Sequence, residues 1–139
     1  MEADGMKFMV EAQKLIYDTL NGEISATVYD DVPQQPPGMP EDSFPYVVIG
    51  YDDADSFDTD SWVGAQISAE LHVWSVYEGK LEAKQIMGEI YDLLHRKPLS
   101  ISGAAVVDCL HTFSTIPEVG AEKYVHGITR YRLTITEAL

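Results

Sequence analysis

The chain has 139 residues, 45% of them hydrophobic, and carries 23 Asp and Glu against 9 Lys and Arg, a formal net charge of −14 at pH 7. That acid excess argues against direct contact with DNA or RNA, whose affinity for proteins rests on Lys and Arg neutralising phosphates. A single cysteine, Cys109, excludes an internal disulfide and a cysteine-rich metal site, and no run approaches the ~20 apolar residues of a membrane span.

The start, Met1-Glu2-Ala3-Asp4-Gly5, lacks the basic opening and apolar stretch of a secretory signal. A soluble, cytoplasmic protein is the expectation. One domain over residues 1–139 is expected too, because a chain of this length buries roughly 68–70% of its unfolded surface without staples.

Residues 6–20 are predicted helical, with Val10, Leu15, Ile16 and Leu20 on one face and Asn21-Gly22 as the stop. A short strand is expected at Ile24–Tyr29. Pro33, Pro36, Pro37 and Pro40 then fall within eight residues and impose an extended loop. Tyr46–Tyr51 is apolar on both faces and reads as a central strand. Asp52–Asp60 holds five aspartates in nine residues and reads as a loop. Val63–Tyr77 alternates with period two, Ile67, Ala69, Leu71 and Val73 against Gln66, Ser68, Glu70, His72 and Trp74. Leu81–Leu94 has the clearest helical pattern, through Leu81, Ile86, Ile90, Leu93 and Leu94 with Met87 and Tyr91 beside them, and Lys97-Pro98 ends it. Ala104–Thr112 and Val125–Thr136 complete the strands. In the last, Val125, Gly127, Thr129, Tyr131, Leu133 and Ile135 alternate with His126, Arg130, Arg132 and Thr134.

The order α–β–β–β–α–β–β predicts an α+β fold: a mainly antiparallel sheet of about five strands with two helices packed on one face. Strands 46–51 and 63–77 would form a hairpin bracketing the acidic tip.

Signals for chemistry are sparse. No phosphate-binding loop, dinucleotide fingerprint, nucleophile elbow or zinc-protease motif occurs. His72, His95, His111 and His126 form no recognisable metal pattern; His72 with Glu70, or His111 with Cys109, gives two ligands where structural zinc wants four. Cys109, within Val106–Leu110, reads as a small core residue, since free cysteine is among the most buried types. The aspartates fail a calcium-loop pattern: starting from Asp53, Phe57 stands where an acid is needed and Asp58 where a glycine is needed. Neither cofactor nor metal is implied. Trp62, Trp74, Tyr77 and Tyr91 are core candidates. Phe57 and Trp62, flanking an acidic tip, also suit a contact surface, because aromatics are enriched at interfaces.

Three stretches in order carry a resemblance: Val28-Tyr29-Asp30-Asp31-Val32-Pro33; Phe44-Pro45-Tyr46-Val47-Val48-Ile49-Gly50; and Leu71-His72-Val73-Trp74-Ser75, followed by Gly79 and the helix to Leu94. His126-Gly127 then leads into the strand holding Tyr131. In this arrangement the chain resembles the tail-completion (tail-terminator) family of long-tailed phages, prophages and gene transfer agents. The acidic tip and the five residues before Met6 depart from it.

The resemblance implies a non-enzymatic virion protein of the tail, assembled in the bacterial cytoplasm. Its partners would be its own copies in a hexameric ring, the tail tube protein and the head–tail connector protein. The ring would stop tube polymerisation. The interface candidates are Asp52, Asp53, Asp55, Phe57, Asp58, Asp60, Trp62, Arg130 and Arg132. At −14 per copy, closure should be helped by salt or magnesium. Deleting Asp52–Asp60 should leave the fold intact and impair assembly or docking. Two other readings stay open: a different phage neck or baseplate ring protein, and a small-molecule enzyme or binding domain in which Asp108, Cys109 and His111 converge with His72.

Overall fold

A computed structural model describes residues 7–30, 43–56, 58, 63–76, 80–101, 104–117 and 124–137, with Lys7, Tyr51, Asp52 and Val107 described by backbone alone. The elements are α1 (Lys7–Leu20), β1 (Thr27–Tyr29), β2 (Tyr46–Ser56), β3 (Gly64–Ser75), α2 (Leu81–Leu94), β4 (Ala104–Thr115) and β5 (Val125–Glu137). The strands form one five-stranded sheet in the order β1-β2-β3-β5-β4.

The α+β class holds, but the sheet is mixed rather than antiparallel throughout. β1 runs parallel to β2, with Val28 opposite Val47, whereas β2–β3, β3–β5 and β4–β5 are antiparallel. The cause is connectivity: a tight turn would return the chain antiparallel, and the long segment between Tyr29 and Tyr46 lets it re-enter in the same direction. Register shifts between Ile49 and Asp52 in β2, and at two points in β4, mark where these strands bend.

The main core forms because two periodicities meet. Ala65, Ile67, Ala69, Leu71 and Val73 of β3, and Val125, Tyr131, Leu133 and Ile135 of β5, point to one side and are buried. Against them pack Phe8, Ala12, Ile16 and Leu20 of α1 and Ala83, Ile86, Ile90 and Leu94 of α2. α1 meets β1, β2 and β3; α2 meets β3, β4 and β5; the helices also touch each other. On the opposite side Tyr46 and Val48 form a second small core with Tyr29, Phe44 and Trp74.

The helix faces differ from the expected ones. The buried stripe of α1 runs through Phe8, Ala12, Ile16 and Leu20, at i, i+4 spacing, and Val10 is 69% exposed because it lies about 200° around the helix from Phe8. In α2, Leu81 is 57% exposed and Ala83 takes its place in the core. Gly22, at φ 81°, supplies the left-handed residue that ends α1.

The largest correction concerns the acidic run. β2 continues to Ser56, so Asp52, Asp53 and Asp55 are strand residues paired opposite Ala69, Ser68 and Gln66. Pairing with β3 overrides the low strand propensity of aspartate. Deleting 52–60 would therefore remove half of a strand, and the expectation that the fold would survive intact falls. The proline-rich loop, Phe57, Asp60, Trp62 and Tyr77 lie outside the described residues.

Candidate assembly surface

The helix-free face of the sheet carries a connected row of polar and aromatic side chains. Period two places Ser68, Glu70, His72 and Trp74 of β3 there, and the register sets Arg132, Arg130, Ile128 and His126 of β5 beside them in that order. Glu70 ties the row together. Its Oε2 accepts from Nε of Arg130 at 2.7 Å, and its Oε1 lies 2.9 Å from Nε2 of His72. Nδ1 of His72 is 2.7 Å from Nε2 of His126. The His126 ring lies flat on Trp74, centroids 3.9 Å apart and planes 5° from parallel. The row ends at the second core, where Tyr46 packs against Tyr29 and Phe44, and Phe44 stacks on Tyr124. Burial, then the neighbouring phenols of Tyr29 and Tyr124, push the Tyr46 hydroxyl up to about 12.

Gly50 makes this row possible. A Cβ there would lie 2.7 Å from Cδ2 and 2.9 Å from Nε2 of His72, so only a glycine leaves the imidazole its place. Burial in this setting, followed by the proximity of His72, lowers His126 to about 4; Glu70 opposes the shift.

At the other end of the row the sheet forms a concavity of about 340 Å³, lined by Asp53, Ser68, Glu70, Thr112, Arg130 and Arg132. Three of the sequence-nominated residues, Asp53, Arg130 and Arg132, thus meet in one place. Arg130 is held by Glu70 and lies over the Phe113 ring, 5.3 Å from its centroid. Arg132 is half-buried, and its Nε is buried with no hydrogen-bond partner. Asp55 is exposed two residues along from Asp53 on the same strand. Asp58 accepts a hydrogen bond from the backbone N–H of Gly64 at 3.0 Å, which ties it to the start of β3. Asp52 stands opposite Ala69 in the register.

Sequence reasoning placed none of Glu70, His72, His126 and Trp74 among the interface candidates; it weighed His72 and Glu70 only as an incomplete ligand pair and His72 as part of an enzyme pocket. The signal was the even-numbered row of two strands that pair, and it became legible only once the register was known.

The enzymatic reading does not survive this geometry. Cys109 is fully buried in the main core, and burial, then nearby Asp108, pushes its thiol up to about 12. His72 lies on the opposite face, committed to Glu70 and His126. His111 points instead toward Tyr91, Tyr131 and the Ser114 hydroxyl. No group of three or more His, Cys, Asp or Glu among the described residues is placed to hold a metal, and no described helix is long and apolar enough to cross a membrane.

These features define a small α+β fold with a polar sheet face and no assembled catalytic group among the described residues. Residues 16–136 match the family described as tail completion protein gp17. The chain belongs to that family, which comprises structural proteins of phage-type tails and not enzymes. It is 32% identical over 95 residues to the tail completion protein gp17 of Bacillus phage SPP1, covering 68% of this chain and 70% of that protein. Among solved structures, a chain from the virion of a native gene transfer agent particle has the same fold, with a TM-score of 0.77 at 19% identity over 92% of this chain and 96% of that one.

Proposed function

We propose that the chain acts as a single domain that closes into a hexameric ring on the head-proximal end of a tail tube. The ring ends tube polymerisation and presents a surface to the head–tail connector protein, after assembly in the bacterial cytoplasm. The observation that carries this reading is family membership across residues 16–136. A charged, helix-free sheet face supports it, because a ring needs two different surfaces on each copy that fit each other head to tail. The interface candidates on that reading are Asp52, Asp53, Asp55, Asp58, Arg130 and Arg132, together with Phe57, Asp60 and Trp62.

Electron microscopy of particles assembled with and without the protein tests it. Without it, tubes should run past their normal length and stay separate from heads. Tubes of normal length joined to heads would overturn the reading. Localisation of the protein at the far, baseplate end would transfer the ring to that site.

A further inference from the structure

We propose that the concavity around Arg132 receives a carboxylate from the helix layer of a second copy of this chain, and is therefore one half of the contact between neighbouring subunits. The proposal rests on the ring reading and deepens it by naming the surface.

Its starting point is an imbalance. Arginine at a half-buried position normally finds a carboxylate, because its planar fork matches two oxygens at once and its charge is costly to leave unpaired. The chain offers 23 acids for 9 bases, yet Arg132 has a buried Nε with no acceptor. Glu70, one of the two acids in the lining, is already taken by Arg130 and His72. Asp53 lines the same concavity and is solvent-exposed, two strands from Arg132 in the register. The partly exposed guanidinium of Arg132 thus lines the concavity without an ion-pair partner among the described residues. The shape agrees: about 340 Å³ holds a side chain, not a folded element.

The occupant follows from charge and symmetry. On the opposite side of the sheet, α1 and α2 expose Asp18 and Asp92, and neither forms an ion pair among the described residues. The chain therefore carries an acceptor-seeking arginine on one face and unpaired carboxylates on the other. Head-to-tail packing brings Arg132 to the neighbour's helices, which attracts, and it is the arrangement that closes rings.

The experiment uses assembled particles, so it does not depend on the isolated protein forming a ring. The native thiol of Cys109 is fully buried, so Thr112→Cys, at an exposed residue lining the concavity, introduces one accessible thiol. It is labelled with a short thiol-reactive benzophenone and photolysed in the particle. The expected product has twice the chain mass, with the cross-link mapping to α1 or α2. Those helices lie beyond the sheet from position 112, so such an adduct joins two copies. Arg132→Ala should cut its yield about tenfold or more, as expected of an anchoring arginine. If that variant does not fold, Arg132→Lys keeps the charge without the fork and should still reduce the yield. A cross-link to the tube or connector protein, or an undiminished yield in both Arg132 variants, overturns this docking surface. In that event, a ring still visible at the tail end leaves the ring reading standing. Its absence overturns both.

Discussion

His72 and His126 share a hydrogen bond of 2.7 Å between Nδ1 of the first and Nε2 of the second. Two imidazoles this close must divide the roles of donor and acceptor. With His72 directing its Nε2–H at Glu70, its Nδ1 accepts and His126 donates. Were His72 doubly protonated, His126 would accept through Nε2. The flat stacking of His126 on Trp74 holds the geometry in both arrangements, and in both His126 is neutral.

This neutrality gives stability a pH dependence. His126 titrates at about 4 in the folded chain, chiefly because it is desolvated, and near 6.5 when unfolded. The unfolded state then binds the extra proton first as pH falls. The contribution of His126 is complete above about 6.5 and is lost progressively down to about 4. Because the ring is only partly buried, solvent screening reduces the effect to the order of 1–2 kcal/mol. Urea unfolding at pH 7 and pH 4.5 should show the wild type losing that much more stability than His126→Gln. An equal loss in the two proteins would remove His126 as the cause.

Gly50 and Gly127 both allow close approach, but with different neighbours. A Cβ at Gly50 meets the His72 ring at 2.7 Å, and that ring is pinned by Glu70 and His126. A Cβ at Gly127 meets Sδ of Met87 at 2.7 Å, the flexible part of an adaptable side chain. Gly50→Ala should therefore cost about 1–3 kcal/mol as an overpacked site, and Gly127→Ala distinctly less. Thermal melts of the two variants decide this; equal or reversed costs would mean that the His72 row is not rigid.

Much of the fold was legible where one periodicity ran unbroken. α2 spans Leu81–Leu94 as its pattern and the following Lys97-Pro98 indicate, and the alternations of β3 and β5 gave their buried faces correctly. Legibility failed where distant pairing decided the outcome. Asp52, Asp53 and Asp55 look like loop residues until β3 lies beside them. The parallel entry of β1 cannot be read from three residues. Val10 and Leu81 are apolar, yet their angular positions turn them outward. The candidate surface was half visible for the same reason. Arg130 and Arg132 stood out as charges on an apolar strand, but that Glu70, His72 and His126 join them depends on the register of β3 against β5.

β4 is an edge strand, and the turn after α2 covers part of its outer side. Arg96, at φ 58°, donates its backbone N–H to the Cys109 carbonyl at 2.8 Å. Nδ1 of His95 accepts the backbone N–H of His111 at 2.9 Å, while the ring stacks on Tyr91. An uncovered edge offers itself to strands of other chains. His95→Ala should cost about 0.5–1.5 kcal/mol for the lost hydrogen bond. Amide exchange at His111 should quicken more than at its neighbours in β4. Unchanged exchange at His111 would show that the imidazole does not protect the edge.

Assembly of the proposed ring would set two electrostatic effects against each other. Each copy brings a charge of −14, so drawing copies together is opposed by diffuse repulsion between exposed carboxylates. The contact proposed for the half-buried Arg132 would act the other way and at short range. Salt screens exposed charges beyond a Debye length, about 8 Å at physiological ionic strength, far more than it weakens a partly buried pair. Raising salt or adding magnesium should therefore favour the oligomer. Among the described residues no cluster of three acids is placed to chelate an ion, so magnesium should act by screening, and sodium chloride of equal ionic strength should reproduce most of its effect. Light scattering after size exclusion, across both series, reads the mass directly. A mass that rises only with magnesium would point to a bound ion at the subunit contact, and a mass unchanged in both series would mean that charge repulsion does not control closure.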